Sequence, residues 1–178
     1  MNDRWLSLSL PSRKTKHSQI SLTYAEKNWL QKHPAIKVSN ERDYPPIDFM
    51  VGREPQGYSI DLINILAERI GLNVEYVNGY SWEELVELFK QGQIDILQPA
   101  GKTPAREESG IFSLPIIEYK TLFVTRKELA DVEDISDLSG LKVASGKGWV
   151  ATEYLQQNHP AIKVIEVEGQ EQMLDAVL

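Results

Sequence analysis

The stretch Ser59-Ile-Asp-Leu-Ile-Asn-Ile-Leu-Ala-Glu-Arg-Ile70, with Asn73-Val-Glu-Tyr-Val77, Ser81-Trp-Glu-Glu-Leu-Val-Glu-Leu-Phe-Lys-Gln91 and Ile94-Asp-Ile-Leu97 behind it, decides the fold. Leu62, Ile63, Leu66 and Ile70 recur at helical spacing, which predicts an amphipathic helix over 59–70 closed by Gly71. Residues 73–77 read as a strand. Residues 81–91 read as a second helix, opened by the capping box Ser81-x-x-Glu84 and closed by Gly92. Residues 94–97 are short and apolar, the pattern of a fully buried strand. With a strand at Ala35–Ser39 in front, the order becomes strand, helix, strand, helix, strand. Such spacing implies right-handed βαβ units around a parallel sheet, so the fold class is α/β.

Working outward, residues 1–22 are polar and aperiodic, and disorder is expected there. Thr23–Lys32 is a predicted helix with the capping box Thr23-x-x-Glu26, ended by Pro34. Tyr44-Pro45-Pro46 reads as a loop, since two prolines suit neither a helix nor a ladder. Beyond residue 106, Phe112–Pro115 leads to a β-rich stretch at Lys120–Arg126. A helical turn over 133–138, a strand over 141–144 and a glycine loop at Ser145-Gly-Lys-Gly148 follow. A helix over 149–157, a strand over 161–167 and an amphipathic helix from Glu171 to Leu178 complete the pattern. No strand follows that last helix, so this second half is expected to be an incomplete lobe. The hexapeptide His33-Pro-Ala-Ile-Lys-Val38 recurs as His159-Pro-Ala-Ile-Lys-Val164, one copy in each half. Each copy is a helix stop followed by a strand, which points to two similar α/β lobes rather than to a solenoid.

Composition narrows the function. The 178 residues are 42% hydrophobic and 25% charged, a globular balance with room for one domain or two small lobes. A net charge of −7 argues against nucleic acid and anionic lipid as partners, both of which need a dense basic surface. The one basic cluster, Arg13-Lys14-Thr15-Lys16-His17, lies in the polar lead-in. The absence of cysteine excludes disulfides, thiol catalysis and cysteine zinc sites. His17, His33 and His159 lack ligand spacing, so neither a metal nor a cofactor is expected. No run is long and apolar enough to span a bilayer, and Met1–Leu10 lacks the core and cleavage site of a secretion signal.

The chemistry concentrates in Leu97-Gln-Pro-Ala-Gly-Lys-Thr-Pro-Ala-Arg106. Thr103 is a natural N-cap, and Pro104 at the first helical position loses no hydrogen bond. Gly101 permits close approach of backbone and ligand. A helix start offers free N–H groups, and the Arg106 guanidinium adds a planar fork matched to carboxylate or phosphate. Together they form an anion site at the carboxyl end of a strand, where α/β sheets bind ligands. Glu41 and Asp43 supply carboxylates near Tyr44. Trp29 and Trp82 are expected to serve packing, and Trp149 stands at the start of the helix over 149–157. Ser145-Gly-Lys-Gly148 lacks the spacing of a nucleotide-binding loop.

A collinear set of motifs now carries a resemblance. Tyr44-Pro-Pro-Ile-Asp-Phe49, Gly57-Tyr-Ser-Ile-Asp-Leu62, Ala67-Glu-Arg-Ile-Gly-Leu72, Ser81-Trp-Glu-Glu-Leu85 and Gly92-Gln-Ile-Asp-Ile96 come first. Thr103-Pro-Ala-Arg106, Phe112–Pro115 and Asp137-Leu-Ser-Gly-Leu-Lys-Val143 with Lys147-Gly148 complete it. Over residues 34 to 178 the chain resembles the polar-amino-acid type of bacterial extracellular solute-binding proteins, family 3. The leader Leu22-Thr-Tyr-Ala-Glu-Lys-Asn-Trp-Leu-Gln-Lys-His-Pro34 resembles the opening of Venus-flytrap sensor domains of membrane-bound histidine kinases and diguanylate cyclases.

The resemblance implies a two-lobed, type II periplasmic-binding-protein fold closing on a small ligand outside the cytoplasm. It gives Arg106 the ligand's carboxylate, Tyr44 a packing face on the ligand, and the amides of Trp149 and Val150 the second lobe's share of the site. Gln98, Gly101, Thr103 and Glu41 complete the expected ligand set. The family usually has a hydroxyl or small polar residue where this chain has Gly101, and a Ser/Thr pair where it has Trp149-Val150. Residues 23–119 would be the first lobe, 120–126 the crossover and 127–178 the second lobe. The expected role is non-enzymatic: sensing a carboxylate or amino acid ahead of a kinase or cyclase module. The alternatives are a free receptor for an ABC permease, or a dehydratase-like or lytic-transglycosylase-associated enzyme of the same fold, with Glu41 and Asp43 as acid or base.

Overall fold

Local sequence signals place most of the elements. The computed structural model describes residues 20–129 and 132–178, so the basic cluster and most of the expected lead-in lie outside the described residues. Helix α1 (Tyr24–Lys32) opens on the foreseen capping box: the Thr23 hydroxyl accepts from Glu26 N, and the Glu26 carboxylate accepts from Thr23 N. Strand β1 (Ala35–Ser39) is followed by a separate sheet of β2 (Asp43–Tyr44), β3 (Asp48–Val51) and β4 (Glu54–Gln56), antiparallel in the order β2-β3-β4. Tyr44 therefore pairs with Asp48 instead of lying in a loop, and the turn is left to Pro45 and Pro46, which share a cis peptide.

Helix α2 (Tyr58–Ile70) ends at Gly71 as expected, but its buried side carries Ser59, Ile60 and Ala67 while Leu66 is exposed. The helix lies across β3, β4 and β5, and the small Ala67 permits close approach there. Strand β5 (Asn73–Val77) runs parallel to β1, from Ala35↔Asn73 to Ser39↔Val77. Helix α3 (Trp82–Lys90) repeats the capping box with Ser81 and Glu84, and buries Trp82 and Leu85.

On the other side of β1, residues 94–97 contribute a single parallel bridge, Val38↔Ile96, rather than the strand expected. The reason is chemical. Lys37 N donates to the Asp95 carboxylate at 2.8 Å, so a side chain takes a donor that a longer ladder would use. The four-residue helix α4 (Pro104–Glu107) follows, capped by Thr103 with Pro104 inside its first turn. Lys120–Arg126 forms no strand; a strand needs a ladder partner, and no described segment pairs with it.

The second lobe pairs β6 (Lys142–Gly146) with β7 (Lys163–Val167) in parallel, with α5 (Val150–Asn158) between them and α6 (Gln170–Asp175) after them. Ser145 and Gly146 belong to β6, so the expected glycine loop shrinks to Lys147-Gly148. Leu138, Leu155 and Ile162 form the core of this lobe, surrounded by Val132, Ile135, Leu141, Val143 and Val164.

Candidate ligand cleft between the lobes

Arg106 sits where the two lobes meet. Thr103 Oγ1 accepts from Arg106 N at 3.3 Å and fixes the start of α4. From there the guanidinium reaches across. Nη1 donates to Gly101 O at 3.0 Å, and Nη2 donates to Gly148 O at 2.7 Å and to Glu153 Oε1 at 3.0 Å. Its carbon lies 5.5 Å from the centre of the Trp82 ring, within range of a cation–π contact. The Arg106 side chain is only 14% exposed.

Gly148 makes this junction possible. Its φ of +68° lies in the left-handed region that glycine occupies without a Cβ clash. Its carbonyl accepts from Trp82 Nε1 at 3.1 Å as well as from Arg106, so one second-lobe oxygen holds two first-lobe side chains. Trp149 is the N-cap of α5, and Val150 is its first helical residue. Across from them, Gly101 is pressed so closely that a Cβ there would stand 2.6 Å from Val150 Cγ2.

Tyr44 and Trp149, the two expected aromatic residues, meet edge to face across the junction, with ring centres 5.2 Å apart. The Tyr44 hydroxyl is hydrogen-bonded to that of Tyr119. Burial and that bond push its ionisation upward, which keeps the phenol neutral. Gln98 stands apart from the rest. It is buried behind the cleft, where its N–H donates to Ser39 Oγ at 2.7 Å and its side-chain amide donates to Ser39 O at 3.4 Å. It braces the loop before Gly101.

Beside the Arg106 junction lies a cavity of about 430 Å³ walled by both lobes. Glu41, Asp43, Glu83, Glu84 and Glu168 line it against Arg42 and Lys147, so its charge is acidic. Glu41 is 7% exposed, and burial, with Asp48 and Asp43 nearby, pushes its carboxyl up to about 8. Asp48, wholly buried, is raised to about 7 by burial, although Glu41 N and the Asn40 amide both donate to it. A positive group entering this cavity would favour ionised Glu41. Two further contacts span the lobes: Lys147 Nζ to Glu83 Oε2 at 2.5 Å, and Glu171 N donating to Asp43 Oδ2 at 3.2 Å.

Arg106, Gly101, Thr103, Val150, Trp149 and Tyr44 are thus brought to one junction, with Glu41 in the adjoining cavity and Gln98 behind. Sequence reasoning missed Glu153; Trp82 packs in the core as expected and also lines the cavity. Their partners lie 47 and 66 residues away along the chain, beyond the reach of any local pattern. Among the described residues no group of histidines and carboxylates is arranged to hold a metal ion.

Similarity to known proteins agrees with this geometry. Residues 36–176 match the bacterial extracellular solute-binding proteins, family 3. The virulence sensor protein BvgS of Bordetella bronchiseptica is 28% identical over 160 residues, covering 85% of this chain and 13% of that protein. A probable histidine-binding protein of Campylobacter jejuni is 28% identical over 145 residues, covering 80% of this chain and 54% of that one. The crystal structure of the Bordetella pertussis BvgS periplasmic VFT2 domain superposes with a TM-score of 0.75 at 26% identity, over 88% of this chain and 67% of that one. The chain spans about half of the histidine-binding protein and a much smaller part of the sensor. Its two α/β lobes and the extent of the match over residues 36–176 make it a member of the family 3 extracellular solute-binding proteins, with the Venus-flytrap fold.

Proposed function

We propose that this chain binds a small amino-acid-like solute between its lobes, with Arg106 holding the solute's carboxylate, as the extracytoplasmic sensor part of a signalling protein. The observation that carries this reading is the Arg106 guanidinium. It is seated on a capped helix start, roofed by Trp82 and directed at the second lobe's α5. A planar fork at such a place suits a carboxylate, which it can grip with two parallel bonds. Tyr44 and Trp149 offer apolar faces to the solute, and the acidic cavity around Glu41 offers a place for its positive part. Residues 23–119 and 127–178 would act as the moving lobes and 120–126 as the crossover. Binding would then shift an open–closed equilibrium by its differential affinity for the closed form. The similarity to a virulence sensor favours sensing over transport, and none of the junction residues requires a catalytic role.

Titration calorimetry with the standard L-amino acids, taken singly, tests this. A binding solute is expected, and Arg106→Ala should weaken it by about 2–4 kcal/mol, the loss of a charge-assisted bidentate contact. Equal affinity in that variant would remove Arg106 from the site.

A further inference from the structure

Arg106 is not waiting empty-handed. Its guanidinium donates three hydrogen bonds, and one of them is accepted by a carboxylate, that of Glu153 on the opposite lobe. Both Nη2 hydrogens are engaged, one by Gly148 O and one by Glu153, so the edge of the fork that would meet a solute is already satisfied. Glu153 lies in the first turns of α5, where the helix dipole favours a negative charge, and its own N–H is tied to Trp149 O. The surfaces beside it are closed as well. Gly101 and Val150 touch each other across the junction, with neither presenting a polar side chain to the space between them. Lys147–Glu83 and Glu171–Asp43 add two more ties between the lobes.

We infer that Glu153 is a specificity-determining residue of this cleft: a tethered carboxylate that holds Arg106, keeps the lobes together without a solute, and must be displaced by whatever binds. The inference rests on the reading of Arg106 as the carboxylate anchor. A tethered group competes at an effective concentration in the millimolar range, so weak or monodentate anions are turned away. Only a solute that offers a better-matched carboxylate and further contacts in the acidic cavity replaces it. Apparent affinity is lowered by the fraction of molecules in which Glu153 occupies the clamp.

The test uses the absence of cysteine, which allows two labels to be introduced cleanly. Spin labels at Glu68→Cys in α2 and Gln157→Cys in α5 report the interlobe distance in protein refolded free of solute. The parent chain should give one narrow distance, and Glu153→Ala should broaden it and shift it outward, with Glu153→Gln preserving side-chain volume as a folding control. A distribution that is broad in the parent, or unchanged in Glu153→Ala, would overturn the inference. A second arm titrates the standard L-amino acids singly, and Glu153→Gln should bind about tenfold more tightly than the parent. Binding to the parent that is no weaker than to Glu153→Gln would overturn the competition while leaving the anchor role of Arg106 intact. An outward shift with no solute bound by either protein would support the tether and instead refute the carboxylate-binding function.

Discussion

The same six residues, His-Pro-Ala-Ile-Lys-Val, occur at 33–38 and at 159–164, and the two copies do not fold alike. In the first, the strand starts at Ala35 and Val38 is wholly buried; in the second, it starts at Lys163 and Ile162 is the buried residue. Their surroundings explain the difference. β1 is flanked by β5 on one side and by Ile96 on the other, a central position that buries its far end. β7 has β6 on one side, and the preceding Ala161 O is taken by Gly140 N, which holds the start of the second copy in a turn over the Leu138–Leu155 core. Local sequence sets where the helix stops, as His33 and His159 do alike. Neighbours decide which side chain enters the core.

Exchanging these positions sharpens the comparison. Ile162→Ala should cost about 3 kcal/mol in urea unfolding, whereas Ile36→Ala, at the same place in the half-buried first copy, should cost about 1 kcal/mol. Equal costs would mean that the hexapeptide, not its neighbours, sets burial. The next residue differs in kind. Ser39 exchanges two hydrogen bonds with the Gln98 backbone, so Ser39→Ala leaves a buried N–H unpaired and should cost about 2 kcal/mol. Its counterpart Ile165 is exposed, and Ile165→Ser should stay within about 0.5 kcal/mol.

A smaller effect separates the lobes by pH. The first copy leads into Glu41 and the Asp48 cluster, whereas the second leads to exposed Glu166, hydrogen-bonded by Gln156. Glu41 is raised from 4.5 to about 8 and Asp48 from 3.8 to about 7, so the folded state binds the extra protons between those values. Stability from these groups is full below their unfolded values and is lost as pH rises through 7 and 8. Thermal melting should therefore rise by a few degrees between pH 8 and pH 5, and Glu41→Gln should flatten that slope. A slope untouched by the substitution would place the titration elsewhere.

Features written within a few residues were legible in advance. The capping boxes at Thr23 and Ser81, the Thr103-Pro104 helix start and the strands 35–39 and 73–77 appear as read. Positions governed by distant partners were not. The 94–97 segment lost its ladder to the Asp95 carboxylate, Lys120–Arg126 has no described strand beside it, and Leu66 faces water because α2 packs over Ala67. In the cleft, Arg106, Tyr44 and Trp149 could be named from motifs. Glu153 could not, because nothing near it in sequence announces a carboxylate aimed at a residue in the other lobe.

Trp82 gives the molecule an optical gauge of its own shape. Its indole N–H ends on the Gly148 carbonyl of the opposite lobe, and a guanidinium lies over its ring. Parting the lobes takes the Gly148 carbonyl away from the indole N–H and opens it to water, which moves tryptophan emission toward the red. The lobe motion proposed above would therefore be readable in the ultraviolet emission of the chain before any label is attached.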